Sequence, residues 1–187
     1  MTEILVVCTA NLCRSPMAAA LLVDALERGA AQGTVRSAGV RGAPDLPPPE
    51  PVVDVMATRG LDVGAHRSRR VEASDIRHAD LVVAMERAHV QALVVLVPDA
   101  FGRTFTLKEL VRRAAAVGSR GGGEPLSHWL GRLHSGRRAS ALLGSDPCDD
   151  VADPMGGPPE RYRRTADELA DLTTRLVALA FPRSPAV

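Results

Sequence analysis

The stretch Ile4-Leu5-Val6-Val7-Cys8-Thr9-Ala10-Asn11-Leu12-Cys13-Arg14-Ser15-Pro16-Met17 decides how the rest of the chain is read. Its first four residues form an apolar run rich in β-branched side chains, the pattern of a strand buried on both faces. Ser15-Pro16 then offers a helix-capping serine and a proline suited to the first helical position, and residues 17–27 favour a helix ending at Gly29. Outward from this strand–loop–helix unit the pattern recurs. Residues 34–40 read as a second strand, 44–51 as a proline-rich loop and 51–59 as a helix closed by Gly60. A short helix at 72–78 leads into a third buried strand at 81–84, followed by a helix at 87–96, a strand at 104–106 and a helix at 107–117. A glycine-rich link, 118–123, precedes a helix capped by Ser127, and the last helix, 160–179, carries Leu169, Leu172, Leu176 and Leu179 as a stripe. Strands alternating with helices imply an α/β fold: a three-layer sandwich with a four-stranded parallel sheet and helices on both faces.

Composition sets the outer limits. The 187 residues suit one domain spanning 1–187, and 45% hydrophobic with 24% charged residues excludes wholesale disorder. A net charge of +1 provides no global field to recruit nucleic acid or an anionic membrane. Three cysteines are too few for a disulfide scaffold, and no apolar run reaches the ~18 residues of a membrane span. The apolar N-terminus opens with Glu3 and is broken by Asn11, Arg14 and Pro16, so it reads as the first elements of a cytoplasmic protein and not as a signal peptide. Neither H-E-x-x-H nor C-x-x-C occurs, and the single lysine, Lys108, belongs to no phosphate-binding Walker motif. No metal and no cofactor is implied.

The segment from Cys8 to Ser15 lies where ligands of parallel sheets bind, beyond the carboxyl end of a strand. A short loop that opens a helix turns backbone N–H groups toward one point, an anion nest at the positive end of the helix dipole. Such a nest favours a thiolate at Cys8, while the Arg14 guanidinium matches phosphate oxygens and Ser15 can hydrogen-bond the sulfur. Nucleophile, oxyanion cradle and clamp within eight residues are what phosphoryl transfer to sulfur requires. The spacing C-x5-R alone is weak. With 22 arginines in the chain, three cysteines give about 0.35 chance matches. The preceding strand and following Ser-Pro raise its weight, against the competing reading of Cys8 as a small core hydrophobe.

The run from Val7 to Ala18 resembles the signature of the low-molecular-weight protein tyrosine phosphatases. The similarity extends through Ser37-Ala38-Gly39, His66-Arg67-Ser68-Arg69, Asp80-Leu81-Val82-Val83-Ala84-Met85 and Asp150-Val151-Ala152-Asp153-Pro154, covering roughly 1–110 and 149–181. The resemblance implies a phosphomonoester hydrolase acting on phosphotyrosine in protein substrates. Cys8 would be the nucleophile that forms a cysteinyl-phosphate, Arg14 the phosphate clamp and Asp153 the general acid. Thr9, Ala10, Asn11, Leu12, Cys13, Arg14 and Ser15 would form the phosphate-binding loop, supported by hydrogen bonds among Asn11, Ser15, Ser37 and His66. Family members with a cysteine at the position of Cys13 can pair it reversibly with the nucleophile; a buried thiol is the alternative.

The chain departs from the family pattern at Ala10, at Met155 and in its middle, while Leu12 separates it from one branch. Ala10 stands where glycine is usual, which is costly if the residue needs a positive φ. Met155 replaces the aromatic that walls the phosphotyrosine ring, leaving Trp129 or Tyr162 as substitutes unless Trp129 is core and Tyr162 an ordinary helix residue. Leu12 stands where a phosphoarginine-specific branch carries threonine, which favours an apolar leaving group. Residues 111–147 are a helical insertion with a strongly basic segment, read either as a lid over the site or as a solvated helix pair answered by the acidic loop that follows. An arsenate reductase of the same fold, a phosphatase of small aryl or sugar phosphates, and a non-catalytic phosphate-binding module are the alternatives. The reductase relay requires cysteines near the third strand, and none lies between Asp80 and Pro98.

Overall fold

A computed structural model describes residues 1–182. Its centre is a four-stranded, wholly parallel sheet in the order β2-β1-β3-β4, formed by β1 (Thr2–Cys8), β2 (Gly33–Gly39), β3 (Leu81–Ala84) and β4 (Thr104–Thr106). Both faces of β1 are buried. Ile4, Val6 and Cys8 enter one apolar cluster with α1 (Arg14–Arg28), α2 (Glu50–Ala57), α5 (Leu107–Val117), α6 (Leu126–His134) and α7 (Pro159–Ala180). Leu5 and Val7 enter a second with α3 (Ala73–His78) and α4 (Arg87–Leu96). Alternation along one strand thus feeds two helical layers, the three-layer sandwich expected from the strand and helix spacing.

Because β1 pairs with β2 on one side and β3 on the other, the chain's winding reverses at β1, and it is beyond the carboxyl ends of strands at such a reversal that ligands of parallel sheets bind. Cys8 is the last residue of that strand and pairs in register with Gly39.

Two capping expectations are corrected. Helix α1 begins at Arg14, with Cys13 at its N-cap and no side-chain cap, because the Ser15 hydroxyl is committed to the sulfur of Cys8 instead. Helix α6 begins at Leu126 behind Pro125, so Ser127 lies inside its first turn.

Within the basic segment 111–147, Arg113 and Arg137 converge on the buried Glu109, Arg132 pairs with Glu124, and Arg112 reaches Asp149 of the acidic loop. Leu126 and Leu130 of α6 line a cavity with Thr2, Asp80 and Arg103, at the amino ends of β1, β3 and β4 and so at the opposite end of the sheet from Cys8. Trp129 is fully buried and donates Nε1–H to the Gly118 carbonyl at 3.0 Å, which makes it core. Among the described residues no helix is long and apolar enough to cross a membrane.

Candidate active site

Backbone geometry shapes the loop between β1 and α1. Asn11 adopts φ +59°, a left-handed conformation that asparagine tolerates better than most residues. Ala10 does not have a positive φ, so its methyl group carries none of the strain anticipated for it. The loop also passes very close to β2: a Cβ on Gly39 would lie 2.7 Å from the Thr9 carbonyl oxygen and 2.8 Å from the Asn11 nitrogen. Only glycine permits that approach.

The Cys8 sulfur is buried at the base of the loop, 3.0 Å from Ser15 Oγ, and the Asn11 N–H donates to it at 3.3 Å. Asn11 is wholly buried and ties the loop in several directions. Its Nδ2 donates to Ser15 Oγ and Ser37 Oγ, both at 2.9 Å, and its Oδ1 accepts from the Arg69 backbone N–H at 3.0 Å. His66 Nε2 lies 2.8 Å from the Asn11 carbonyl oxygen. All four residues named as loop supports therefore meet in one network around the sulfur.

Arg14 is 1% exposed, an unusual burial for a guanidinium, and four of its five N–H groups are engaged. Nη1 binds Glu86 and donates to the Val151 carbonyl at 3.0 Å, while Nη2 donates to Thr9 Oγ1 at 3.2 Å and Asp153 Oδ2 at 2.7 Å. Arg14 and the carboxylate of Asp153, 139 residues apart in the chain, are thus in direct contact. Asp153 lies on an exposed loop, with Pro154 buried beside it. Its other oxygen, Oδ1, accepts from the Met155 N–H at 3.1 Å.

Cys13 is a buried thiol whose Sγ lies 4.0 Å from the Met155 sulfur. Burial, reinforced by Asp153 and Cys8 against a lowering by Arg14, pushes this thiol up to about 12, so it stays protonated and does not compete as a nucleophile. Cys8, Cys13 and the exposed Cys148 are all free. Tyr162 neither walls a ring nor idles on its helix. Buried, it accepts the Gly156 N–H at its hydroxyl and braces the turn that follows Asp153.

Three site residues escape the sequence reading. Glu86 and Arg87 follow directly after β3, at the same end of the sheet as Cys8, and the rule that located the loop would also have located them. Glu86 pairs with Arg14. Arg87 holds the acidic loop through Asp149 (Nε to Oδ2, 2.8 Å) and Asp146 (2.9 Å). His89 is 3% exposed and lies 2.9 Å from Thr9 Oγ1; one histidine on a helix gives no signal in sequence.

Residues 3–118 match the family described as low molecular weight phosphotyrosine protein phosphatase. A protein-arginine-phosphatase of Geobacillus stearothermophilus is 36% identical over 93% of both chains. A probable low molecular weight protein-tyrosine-phosphatase of Ralstonia solanacearum is 39% identical over 57% of this chain and 71% of its own length. Among solved structures, a low molecular weight protein tyrosine phosphatase from T. tengcongensis aligns with TM-score 0.72 and 30% identity, over 95% of this chain and 98% of that one.

Proposed function

The chain belongs to the low-molecular-weight phosphotyrosine protein phosphatase family, and from that premise we propose that it hydrolyses phosphotyrosine in cytoplasmic proteins through a cysteinyl-phosphate on Cys8. It is a cysteine-dependent phosphatase. The observation that carries the residue assignment is the meeting, in one loop, of a hydrogen-bonded buried sulfur and a buried guanidinium that also touches Asp153. In the proposed reaction the Cys8 thiolate attacks phosphorus as the bond to the tyrosine oxygen breaks, and Asp153 gives its proton to that oxygen. Water then attacks the thiophosphate and passes a proton back to Asp153. The sulfur leaves as a thiolate stabilised by the Ser15 hydroxyl and the Asn11 N–H, while Arg14 and the loop amides hold the equatorial oxygens.

Steady-state kinetics on an aryl-phosphate series provides the test. Cys8→Ser should abolish turnover while vanadate still binds. Asp153→Asn should slow the reaction by about 10²–10⁴-fold for poor leaving groups and far less for good ones. Turnover by Cys8→Ser at parental rates, or an Asp153→Asn defect independent of leaving group, would remove the assignment.

Leu12 supports the tyrosine reading, as a partly buried apolar side chain packed beside the core at the loop. A second reading, phosphoarginine in proteins, is favoured by one observation: the similarity to a protein-arginine-phosphatase extends over 93% of the chain. The two readings make opposite claims about one side chain. Leu12→Thr should shift the ratio of kcat/KM values for phosphotyrosine over phosphoarginine peptides downward by about tenfold or more. A parent that prefers phosphoarginine would transfer the assignment to the second reading.

A further inference from the structure

His89 is unused by the chemistry described so far, yet it occupies the most enclosed position behind the loop. Its ring is 3% exposed, Nε2 lies 2.9 Å from Thr9 Oγ1, and the buried Nδ1 has no hydrogen-bond partner. Thr9 Oγ1 in turn accepts from Arg14 Nη2 at 3.2 Å. The groups facing the ring are Glu86 from its own helix, Arg14 from α1, and Asp150 and Asp153 from the acidic loop.

Two arguments place the proton on Nε2. A proton on Nδ1 would leave a buried N–H donor without any acceptor, the rarer and costlier kind of orphan, whereas a bare Nδ1 lone pair is better tolerated. Glu86 Oε2 also lies 3.8 Å from Nε2, and a carboxylate oxygen favours an N–H over a lone pair at that atom. With Nε2 donating, both lone pairs of Thr9 Oγ1 are occupied, one by His89 and one by Arg14. The oxygen keeps a single free valence, its own hydrogen.

We propose that His89 is a positioning residue of the phosphoryl-transfer reaction: uncharged, with its proton on Nε2, it holds Thr9 as an acceptor and so commits the Thr9 hydroxyl proton to an oxygen of the phosphoryl group in the loop. The inference rests on the assignment of Cys8 and Arg14 made above. Burial, aided by Arg14 and opposed by Glu86, Asp150 and Asp153, pushes the imidazole from 6.5 down to about 4, so His89 remains neutral at working pH and places no second cation against the clamp.

A double-mutant cycle tests the claim that His89 acts through Thr9. His89→Leu and Thr9→Val should each lower kcat about tenfold, and the double variant should also lose about tenfold, not a hundredfold. His89→Gln, whose amide N–H reaches the position of Nε2, should retain kcat within about threefold; His89→Asn, which falls short, should not. Multiplicative losses, or equal defects in the Gln and Asn variants, would overturn the proposal. If His89→Leu does not fold, the Gln and Asn variants still decide the question. Neutrality is tested separately. The unfolded chain takes up a proton near pH 6.5 that folded His89 refuses until about 4, so the stability of the parent should fall across that window relative to His89→Gln. A parent that keeps its stability relative to His89→Gln there would mean a charged ring and would also overturn the inference. Cys8→Ser separates the two levels: if that variant still turns over, the thiolate assignment fails, whereas a failed cycle leaves it intact.

Discussion

Replacing Arg14 with lysine is expected to lower kcat/KM for an aryl phosphate by about 10³-fold or more, even though the positive charge is kept. The guanidinium serves Glu86, the Val151 carbonyl, Thr9 and Asp153 through four N–H groups in fixed planar directions. A lysine ammonium has three hydrogens on one atom and cannot reach both sides of that ring of acceptors. At least one buried acceptor is left bare, and the loss of a buried partner costs about 1–3 kcal/mol before any catalytic effect. The variant should therefore be destabilised as well as slow, with a lower Tm and a raised inhibition constant for vanadate. Parental kcat/KM in Arg14→Lys would mean that the fork geometry is irrelevant and that a point charge suffices.

Gly39→Ala is the second large expectation, and it involves no catalytic group. The added Cβ would lie 2.7–2.9 Å from three backbone atoms of Thr9, Ala10 and Asn11, with no flexible side chain able to yield. Either β2 separates from β1 at the Cys8–Gly39 register, or the loop moves outward by a fraction of an ångström. Overpacking of this kind costs about 1–3 kcal/mol, and a displacement approaching 1 Å at reacting atoms costs on the order of 10²-fold in rate. The expected result is a folded protein with kcat reduced about a hundredfold and weakened oxyanion binding. Thermal denaturation and vanadate titration check both halves, and a Gly39→Ala variant with parental kinetics would show that the loop has room the geometry denies.

Much of this architecture was legible in the amino-acid order, and for identifiable reasons. The run Ile4-Leu5-Val6-Val7 could only be a strand buried on both faces, and the helices at 87–96 and 107–117 show the periodicity and boundaries that their apolar spacing demands. Cys8, Arg14 and Ser15 stood close enough in sequence to be read as one chemical unit. Asp153, Ser37 and His66 lie far from that unit in the chain, so only the family resemblance could bring them to it; they do converge there. His89 stays hidden because one imidazole on a helix has no local signature, whereas Glu86, just past the carboxyl end of β3, stands where ligands of parallel sheets bind. Their roles come from the crossover that brings β3 alongside β1. Ser15 suits two roles in sequence, helix cap and sulfur partner, and the structure gives it the second.

The ion pair between Asp153 and Arg14 has a consequence for how tightly the enzyme holds its ligands. In the proposed reaction an arriving oxyanion meets an Arg14 already paired with Glu86 and Asp153, and it competes with the Asp153 carboxylate for Nη2. Measured phosphate affinity is therefore a difference between two competing anions, one tethered and one free. The residue assigned to hasten departure of the alcohol thus also weakens retention of the inorganic product, which helps an enzyme that must empty its cradle once per cycle.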